Sequence, residues 1–266
     1  EGQYRDFSPL ETPLLGLLCQ ASGISTKARV VKEAANDKPI FHFGSRRMHP
    51  SIAPMIGRSA FIGGCDGVAV TKTAKQLGLE PVGTIPHALI LILEDSTTAT
   101  GMFEKIFGKD VDTVALVDTF GDEKFEALEN ADLIEGLDAV RLDTPSSRRG
   151  DMLEIAKEVR WELDIHGFTD VDIFISGGLD ETSIPDLNEV ADAYGVGTSI
   201  SNAPVIDFSL DIVEIEGEPV SKRGKKSGAK QLYICDSCSN RMVKPFGEEE
   251  LVCSDCGGKA EPALEK

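Results

Sequence analysis

The sequence has no apolar run long enough to cross a bilayer. Its longest such stretch, HALILILE at 87–94, is far below the roughly 20 residues that a membrane-spanning helix needs. Basic residues are also scarce: 27 Lys and Arg stand against 45 Asp and Glu, which gives a net charge of −18. Long-range attraction to nucleic acid or to an anionic membrane is therefore unfavourable. An anionic ligand has to be bound by local hydrogen-bond donors.

Cysteine is rare over most of the chain. Only Cys19 and Cys65 precede residue 235, and the other four cysteines lie in the last 32 residues. This usage indicates a reducing compartment, so we expect a cytoplasmic protein. A signal peptide is also lacking, and the chain opens on EGQYRDF without a methionine. From that opening we expect a processed product or a fragment.

From about residue 105 onward, short apolar runs alternate with amphipathic segments. The runs DTVALVDTF (112–120), LDAVRLDTP (137–145) and VDIFISGGL (171–179) predict buried strands, with helices between them. IPDLNEVADAYG predicts a further helix that ends at Gly195, and VGTSI predicts a short fourth strand. This alternation predicts an α/β fold with a parallel sheet covered by helices. We favour a β/α barrel over an open doubly wound sheet.

The remaining segments complete the predicted organisation. KPIFHFG (38–44) predicts a strand, PVGTIPHALILIL a strand that passes into a helix near His87, and SLDIVEIEGEPV two short antiparallel strands around Gly217. Beyond Asn202 the alternation stops, which predicts that a different fold begins there. The predicted ranges are 1–36 for a helical lead-in, 37–204 for the barrel, 205–230 for a segment of different fold, and 231–266 for a four-cysteine module.

Two late strands of the predicted barrel end in small, glycine-rich turns. The residues concerned are Ser176, Gly177, Gly178, Gly195, Gly197 and Thr198. Glycine allows close approach of the backbone to a ligand and positive φ, and the next helix start offers unpaired N–H groups. In β/α barrels, phosphate binds at the carboxyl ends of two neighbouring late strands. The pattern favours an anion site, with helix caps or tight turns as the alternative.

Charged residues follow three other predicted strands. Asp118 and Asp143 end strands, where they suit ribose hydroxyls or Mg²⁺, although a helix N-cap is a common role for such an aspartate. Arg46 and Arg47 follow the strand at 38–44, and their guanidinium groups could bind a carboxylate or pyrophosphate through paired hydrogen bonds. Surface exposure is the alternative for both arginines.

The four C-terminal cysteines have the spacing of a zinc ribbon or knuckle. Cys235 and Cys238 form one CxxC pair, and Cys253 and Cys256 form the second. Four thiolates leave no open coordination position, which predicts structural Zn²⁺ rather than a catalytic ion; two disulfides are the alternative. Zinc ribbons also bind nucleic acid, but the acidic segments FGEEEL and EPALEK around this one disfavour that role. The basic run KRGKKSGAK (222–230) is read equally well as a solvated linker or as a functional segment.

Taken together, these segments resemble nicotinate phosphoribosyltransferase, a type II phosphoribosyltransferase, and in particular its archaeal form with a C-terminal zinc-knuckle-like segment. The similarity covers nearly all of residues 2–204. The motifs, in the family's order, are GQYRDFSPLETPLLGLL, FHFGSRRMHP, FIGGCDGVAVTKTAKQLG, GTIPHA, LVDTF, RLDTPSSRRGD, SGGLDE and YGVGTSISNAP, with KRGKKSG beyond them.

The resemblance implies a β/α barrel with a smaller flanking α+β domain, to which residues 1–36 contribute a part and residues 205–230 return. It also implies a reaction of nicotinate with phosphoribosyl pyrophosphate and Mg²⁺. It implies that the turn residues with Gly177, Gly178, Gly197 and Thr198 hold the 5′-phosphate, with Thr144 also assigned to the substrate. Asp118 and Asp143 are assigned to the ribose side, and Arg46 and Arg47 to the nicotinate carboxylate or the pyrophosphate. His87 falls where members that hydrolyse ATP carry a phosphorylated histidine, and ATP coupling stays open.

Two departures from the family pattern affect these assignments. The family has an additional N-terminal segment that is absent here, so either a separate chain or segment supplies it or this polypeptide alone is an incomplete enzyme. We also expect a homo-oligomer. An aspartate often stands where this chain has Gly121, so contacts from that loop are not carried over. The alternatives are a quinolinate phosphoribosyltransferase, which needs extra cations for a second carboxylate, and a non-catalytic zinc-ribbon nucleic-acid-binding protein.

Overall fold

The chain divides into two compact units. The computed structural model describes residues 1–108, 110–147, 150–247 and 251–264. The larger unit is Gly16–Asp207, and the smaller unit combines Glu1–Leu15 with Phe208–Lys266. Of the predicted four-cysteine module, residues 248–250 and 265–266 lie outside the described residues. None of the described helices is both long enough and apolar enough to span a membrane.

A six-stranded sheet forms the centre of the larger unit, and each neighbouring pair of its strands is parallel. The strands are β1 (Ile40–His42), β2 (Gly67–Val68), β3 (Val114–Leu116), β4 (Ala139–Leu142), β5 (Asp172–Ser176) and β6 (Ala193–Val196). Their spatial order is β2-β1-β6-β5-β4-β3. Read in reverse, this order is β3-β4-β5-β6-β1-β2. It therefore follows the order of the strands in the chain, with the last strand, β6, paired to the first, β1. The predicted α/β fold with a parallel sheet is confirmed.

Helices connect the strands, as parallel pairing requires. The described residues form α1 (Tyr4–Phe7), α2 (Glu11–Ala34), α3 (Ala53–Ile62), α4 (Thr71–Leu77), α5 (His87–Leu93), α6 (Ser96–Phe107), α7 (Glu123–Leu133), α8 (Met152–Ile165), α9 (Ile184–Leu187) and α10 (Thr198–Ser201). Asp95, Asp122 and Asp151 cap α6, α7 and α8 by accepting hydrogen bonds from first-turn amides. Of the strand predicted to pass into a helix near His87, the helix is confirmed as α5, whereas residues 81–86 form no strand.

The two faces of the sheet differ in composition. One face is aliphatic: Val140, Leu142, Ile173 and Ile175 pack in a core with residues of α2 and α8. Complete burial of each such side chain stabilises the fold by roughly 1.5–3 kcal/mol. The other face carries aromatic rings at Phe41, Phe43 and Phe174, with edge-to-face contacts at centroid distances of 5.8 and 5.5 Å.

Aspartates occupy the amino ends of the strands and bind backbone amides there. Three of them accept hydrogen bonds of 2.6–2.8 Å from amides near the start of a neighbouring strand. The pairs are Asp66 with Ile40, Asp138 with Thr113, and Asp192 with Ile173. These carboxylates therefore pair with backbone amides at the amino ends of the strands. The strand ends that carry unpaired amides are on the opposite, carboxyl side of the sheet.

The smaller unit contains two antiparallel sheets. The hairpin of β7 (Glu214–Ile215) and β8 (Glu218–Pro219) turns at Glu216 and Gly217, whose φ values are 52° and 87°. Two successive left-handed residues are the preferred hairpin turn, and the predicted strands around Gly217 are confirmed. The second sheet contains β9 (Lys230–Cys235), β10 (Arg241–Pro245), β11 (Leu251–Val252) and β12 (Lys259–Pro262), in the order β10-β9-β12-β11.

Two predictions for the segment around Gly195 are wrong. The helix expected to end at Gly195 is only the single turn α9, and Gly195 lies inside strand β6. The expected strand VGTSI contributes only Val196 to β6, and Thr198 begins α10. Helical spacing of apolar residues misled the prediction, because a short buried strand shows too few residues for a clear period. Strand β2 also escaped prediction, since it has only two residues.

Candidate active site

The carboxyl ends of the parallel strands surround a cavity of about 490 Å³ in the larger unit. Most of the predicted site residues line it, although they come from distant parts of the sequence. Those in the lining are Arg46, Arg47, His87, Asp143, Ser176, Gly177, Gly178, Gly195, Gly197 and Thr198. Strand ends in a parallel sheet meet at one edge, which explains why these segments converge.

The turn after β5 explains the paired glycines. Gly177 and Gly178 have φ values of +89° and +72°, a left-handed conformation that other residues rarely adopt. A Cβ on Gly177 would also lie 3.1 Å from Oδ1 of Asp143. The N–H groups of Gly177 and Gly178 donate to no backbone carbonyl in the described part of the chain. The turn therefore presents two unpaired amides at the cavity.

The turn after β6 places its backbone against the end of β1. A Cβ on Gly195 would lie 2.7 Å from the ring of Phe43, and one on Gly197 would lie 3.3 Å from the carbonyl oxygen of Phe43. Gly195 is thus required for packing within the sheet. Gly197 and Thr198 line the cavity beside the turn of Gly177 and Gly178. The two predicted anion-binding turns are neighbours in space.

Arg46 and Arg47 lie in the loop after β1 and are exposed at the cavity. Neither guanidinium forms an ion pair with any residue that the structure describes. The loop is fixed at Gly44, where a Cβ would overlap Oγ of Ser201 at 1.7 Å. Both arginines therefore remain available to an anionic ligand.

His87 is the first residue of α5, and Asp118 lies two residues after strand β3. The two side chains form a hydrogen-bonded pair. Nε2 of His87 donates to Oδ1 of Asp118 at 3.0 Å. The Asp118 side chain is 1% exposed and the His87 side chain 40%. Burial raises the pKa of the Asp118 carboxyl, His87 opposes that rise, and the charge of Asp143 adds to it. Asp118, predicted to bind ribose, is not among the described lining residues and reaches the cavity through His87.

Arg141 is a cavity residue that sequence reasoning missed. Its guanidinium forms an ion pair with Asp143 at 3.1 Å, donates from Nε to Oγ of Ser176 at 2.8 Å, and donates from Nη1 to Oγ1 of Thr84. It also lies 5.6 Å from the centroid of the Phe43 ring. The available signal was a charged residue inside the apolar strand AVRL, two positions before Asp143.

Thr144 lies beside the cavity residues but outside the described lining. Its hydroxyl donates to Oε1 of Glu123 at 2.6 Å, and the residue is 5% exposed. The structure therefore connects Thr144 to helix α7. Its predicted contact with substrate stays a prediction.

The charge of the cavity is opposite to that of the chain. Three arginines line it, and Asp143 is the one acidic residue in the described lining. The chain as a whole carries −18. Local guanidinium groups and unpaired amides can bind phosphate or carboxylate groups at this place, because both donor types line one cavity.

The four C-terminal cysteines are gathered in the smaller unit. Their Sγ atoms all lie within 4.8 Å of one another, and the Cys235–Cys256 and Cys238–Cys253 separations are 3.5 and 3.6 Å. All four are free thiols. Backbone amides of Asp255 and Cys256 lower the pKa of Cys253 to about 6. Four sulfur donors at this spacing suit a tetrahedral Zn²⁺ ion.

Comparison with known proteins identifies similar sequences and structures. A protein-family model described as quinolinate phosphoribosyl transferase, C-terminal domain, matches residues 24–211. The crystal structure of nicotinate-nucleotide pyrophosphorylase from Pyrococcus furiosus is 52% identical, with a TM-score of 0.93, and the match covers 99% of this chain and 68% of that one.

Two curated relatives carry the name nicotinate phosphoribosyltransferase. The protein pncB1 of Mycobacterium tuberculosis is 30% identical over 94% of this chain and 59% of its own length. The Bacillus subtilis protein is 33% identical over 78% of this chain and 43% of its own length. The chain thus spans less than two thirds of either relative.

Proposed function

The chain belongs to the family described as quinolinate phosphoribosyl transferase, C-terminal domain, and on this basis we propose that it transfers a phosphoribosyl group from phosphoribosyl pyrophosphate to nicotinate. The products are nicotinate mononucleotide and pyrophosphate. The observation that carries the proposal is one cavity in which two turns with unpaired amides meet three arginines. Nicotinate as the acceptor is supported by the names of the mycobacterial and Bacillus relatives.

The proposed roles follow the position of each group. The amides of Gly177, Gly178 and Gly197, with the hydroxyl of Thr198, bind the 5′-phosphate. Arg46 and Arg47 bind the nicotinate carboxylate or the pyrophosphate. The other ionisable groups of the cavity are Asp143, placed on the ribose side, and His87, whose ring Asp118 holds at the cavity. Arg141 supplies a positive charge fixed by Thr84, Ser176 and Asp143.

The chemistry needs little proton transfer. Displacement of pyrophosphate from C1 of ribose develops positive charge on the sugar and negative charge on the leaving group, and the pyridine nitrogen is already a nucleophile. Binding groups lower the barrier by orienting the two substrates and by neutralising the leaving group. Arginines and amides do this without a dedicated general base.

Mg²⁺ is proposed to arrive with phosphoribosyl pyrophosphate. In the described ranges, the cysteine cluster is the one group of three or more residues arranged to ligate a metal. Oxygen atoms of the substrate, aided by Asp143 at the cavity, suit a hard cation. The ion would neutralise charge on the pyrophosphate. A role of His87 in coupling to ATP hydrolysis stays a prediction.

The cyclic strand order supports a β/α barrel with a seam between β2 and β3. In an open doubly wound sheet the first and last strands are not neighbours, whereas β6 pairs with β1 here. Near the seam, the amide of Val82 donates to the carbonyl of Val68 on β2, and Thr84 contacts Arg141. We propose that residues 82–84 cover part of this seam.

Structural Zn²⁺ at Cys235, Cys238, Cys253 and Cys256 is proposed for the smaller unit. Among the described residues, the apolar cluster of that unit has six buried members, two of them cysteines of the site. A core of that size is too small to fold a module on its own, so metal binding would supply part of the folding free energy. Free thiols there also support the cytoplasm as the location.

An assay with both acceptors tests the proposed function. The chain is supplied with phosphoribosyl pyrophosphate, Mg²⁺ and either nicotinate or quinolinate, and nucleotide products are separated by chromatography. We expect nicotinate mononucleotide from nicotinate. Replacing Arg46 and Arg47 together by Gln should abolish product, because two unpaired cations leave the cavity. The matched control Arg29→Gln removes a surface arginine paired with Glu33 on α2 and should have no effect.

Other outcomes would identify a rival. Product from quinolinate alone would assign the quinolinate reaction, which the names of the two curated relatives do not favour. The nucleic-acid-binding alternative would be favoured if neither acceptor gave a product and the chain bound RNA. That binding should depend on salt and be lost when zinc is chelated. Assembly into a homo-oligomer is a prediction that light scattering can check.

A further inference from the structure

Helix α7 supplies a buried carboxylate to the loop that follows β3. Oε1 of Glu126 accepts hydrogen bonds from the amides of Phe120 at 2.8 Å and Gly121 at 2.5 Å, and Oε2 accepts from the amide of Thr119 at 3.4 Å. Glu126 is 8% exposed, so these charge-assisted bonds are shielded from bulk water. Three consecutive amides at this strand end are therefore occupied by the chain itself.

The ends of β5 and β6 differ from β3 in this respect. There the amides of Gly177, Gly178 and Gly197 donate to no backbone carbonyl in the ranges that the structure covers, and these residues line the cavity. After β3, an external anion could bind the amides only by displacing the carboxylate of Glu126. The bonds to Glu126 thus fix the loop rather than bind a ligand.

Asp118 depends on this loop for its orientation. Its Oδ1 is bound to His87, and its buried Oδ2 has no hydrogen-bond partner within the described residues. A carboxylate held by one side-chain bond takes the rest of its orientation from its own backbone. The next three residues of that backbone are the ones bound to Glu126.

Helix α7 is itself fixed to β3 by buried polar contacts. Nδ2 of Asn130 donates to Oγ of Ser96 at 3.1 Å, and that hydroxyl donates to the carbonyl oxygen of Leu116 at 3.1 Å. All three residues are at most 5% exposed. Glu126 therefore acts from a helix whose distance to the strand is set.

We propose that Glu126 is a positioning residue: by binding the amides of residues 119–121 it orients Asp118, which in turn holds the ring of His87 at the cavity. This role rests on the proposed phosphoribosyl transfer. Glu126 does not contact the substrate and acts only through Asp118.

Kinetics of matched glutamine variants test the role. Glu126→Gln keeps the size of the side chain but replaces one acceptor oxygen by an amino group that cannot accept from an amide. We expect kcat to fall roughly tenfold to a hundredfold, as for other displaced catalytic groups. KM for phosphoribosyl pyrophosphate should not change, because its phosphate is bound after β5 and β6. The control Glu129→Gln lies exposed on the same helix and should leave both constants unchanged.

A double-mutant cycle separates positioning from general destabilisation. In an Asp118→Asn background, Glu126→Gln should cause little further loss, because the group that Glu126 orients is already removed. The same fractional loss in both backgrounds would overturn the proposal, as would an unchanged kcat. Circular dichroism checks that each variant is folded, and Glu126→Asp replaces Glu126→Gln in every test if the glutamine variant does not fold.

Ring ¹⁵N signals of His87 give a readout that needs no activity. Glu126→Gln should move them toward their positions in Asp118→Asn, while Glu129→Gln should leave them in place. If these signals move in Glu126→Gln but the wild-type chain makes no nucleotide, the proposed function is refuted and the positioning role is retained. Signals that stay in place in Glu126→Gln would overturn the positioning role, whatever the activity of the chain.

Discussion

His42 is completely buried on strand β1, where its Nε2 lies 2.8 Å from Oγ of Ser201. Its Nδ1 has no hydrogen-bond partner among the described residues. A proton on this ring would add an unpaired charge to the interior, and burial accordingly lowers the pKa of His42 from 6.5 to about 4. His42 is therefore neutral in the folded chain, and the need to keep it neutral makes the fold less stable in acid.

This shift predicts a pH dependence of stability. Between pH 6.5 and 4 the unfolded chain binds a proton at His42 that the folded chain does not, so the free energy of unfolding should fall as pH falls through that window. The contribution is about 3 kcal/mol at most. Urea unfolding at several pH values should show a weaker dependence in His42→Asn. The control His166→Asn, at the exposed histidine that follows α8, should keep the wild-type dependence. Identical curves for wild type and His42→Asn would contradict the assignment.

At the residue scale, sequence reasoning found groups whose chemistry is visible in one local motif. Gly177 and Gly178 are predictable because adjacent glycines at a strand end have few other uses. Arg141 was missed because its importance depends on Thr84, Ser176 and Asp143, which lie far from it in sequence. For Asp118, the strand end was predicted, but its burial depends on packing that no local motif reveals.

Among the elements, strand β6 has a sequence that is hard to recognise as a strand. Gly195 is unfavourable in a strand interior, and it occurs here because Phe43 and Phe174 occupy the space of a side chain. In register, Gly195 lies beside Phe41 on β1 and Ser176 on β5. The choice of glycine is thus explained by the neighbouring strands rather than by β6.

Gly195→Ala should therefore destabilise the sheet. Its Cβ would lie 2.7 and 2.9 Å from atoms of the Phe43 ring, and overpacking of this kind costs about 1–3 kcal/mol. Thermal unfolding should show a Tm lower by several degrees. Phe43→Leu in the same chain should recover part of the loss, while Gly136→Ala, with its nearest contact at 3.6 Å, should have little effect. An unchanged Tm in Gly195→Ala would contradict the packing argument.

On the scale of the whole molecule, the two units differ in the size of their described apolar cores. The larger unit has an extensive aliphatic core between sheet and helices. The smaller unit has a short sheet and a small apolar cluster that includes Cys235 and Cys253. Metal binding can supply on the order of 10 kcal/mol to such a module, so we expect the smaller unit alone to depend on zinc.

Chelation should therefore unfold the four-cysteine sheet and leave the larger unit intact. Limited proteolysis after chelator treatment should cut within residues 230–264 while Gly16–Asp207 stays resistant, as mass spectrometry of the fragments would show. Metal analysis should find one zinc per chain. Cys253→Ser should lose the zinc, and Cys19→Ala should retain it. Absence of zinc from the wild-type chain, or resistance of the tail after chelation, would refute the metal assignment.

The sequence by itself determined the alternation of strands and helices, the glycine turns at two strand ends and the four-cysteine spacing. Each of these depends on residues close together in the chain, because hydrophobic period, turn chemistry and ligand spacing are local properties. Tertiary structure decided which strand ends meet, that Asp118 is buried and bound to His87, that Arg141 contacts Ser176 and Asp143 at the cavity, and that Glu126 binds the loop after β3. Those properties arise from contacts between residues that only the order of strands in the sheet brings together, since charge, burial and hydrogen bonding depend on neighbours in space.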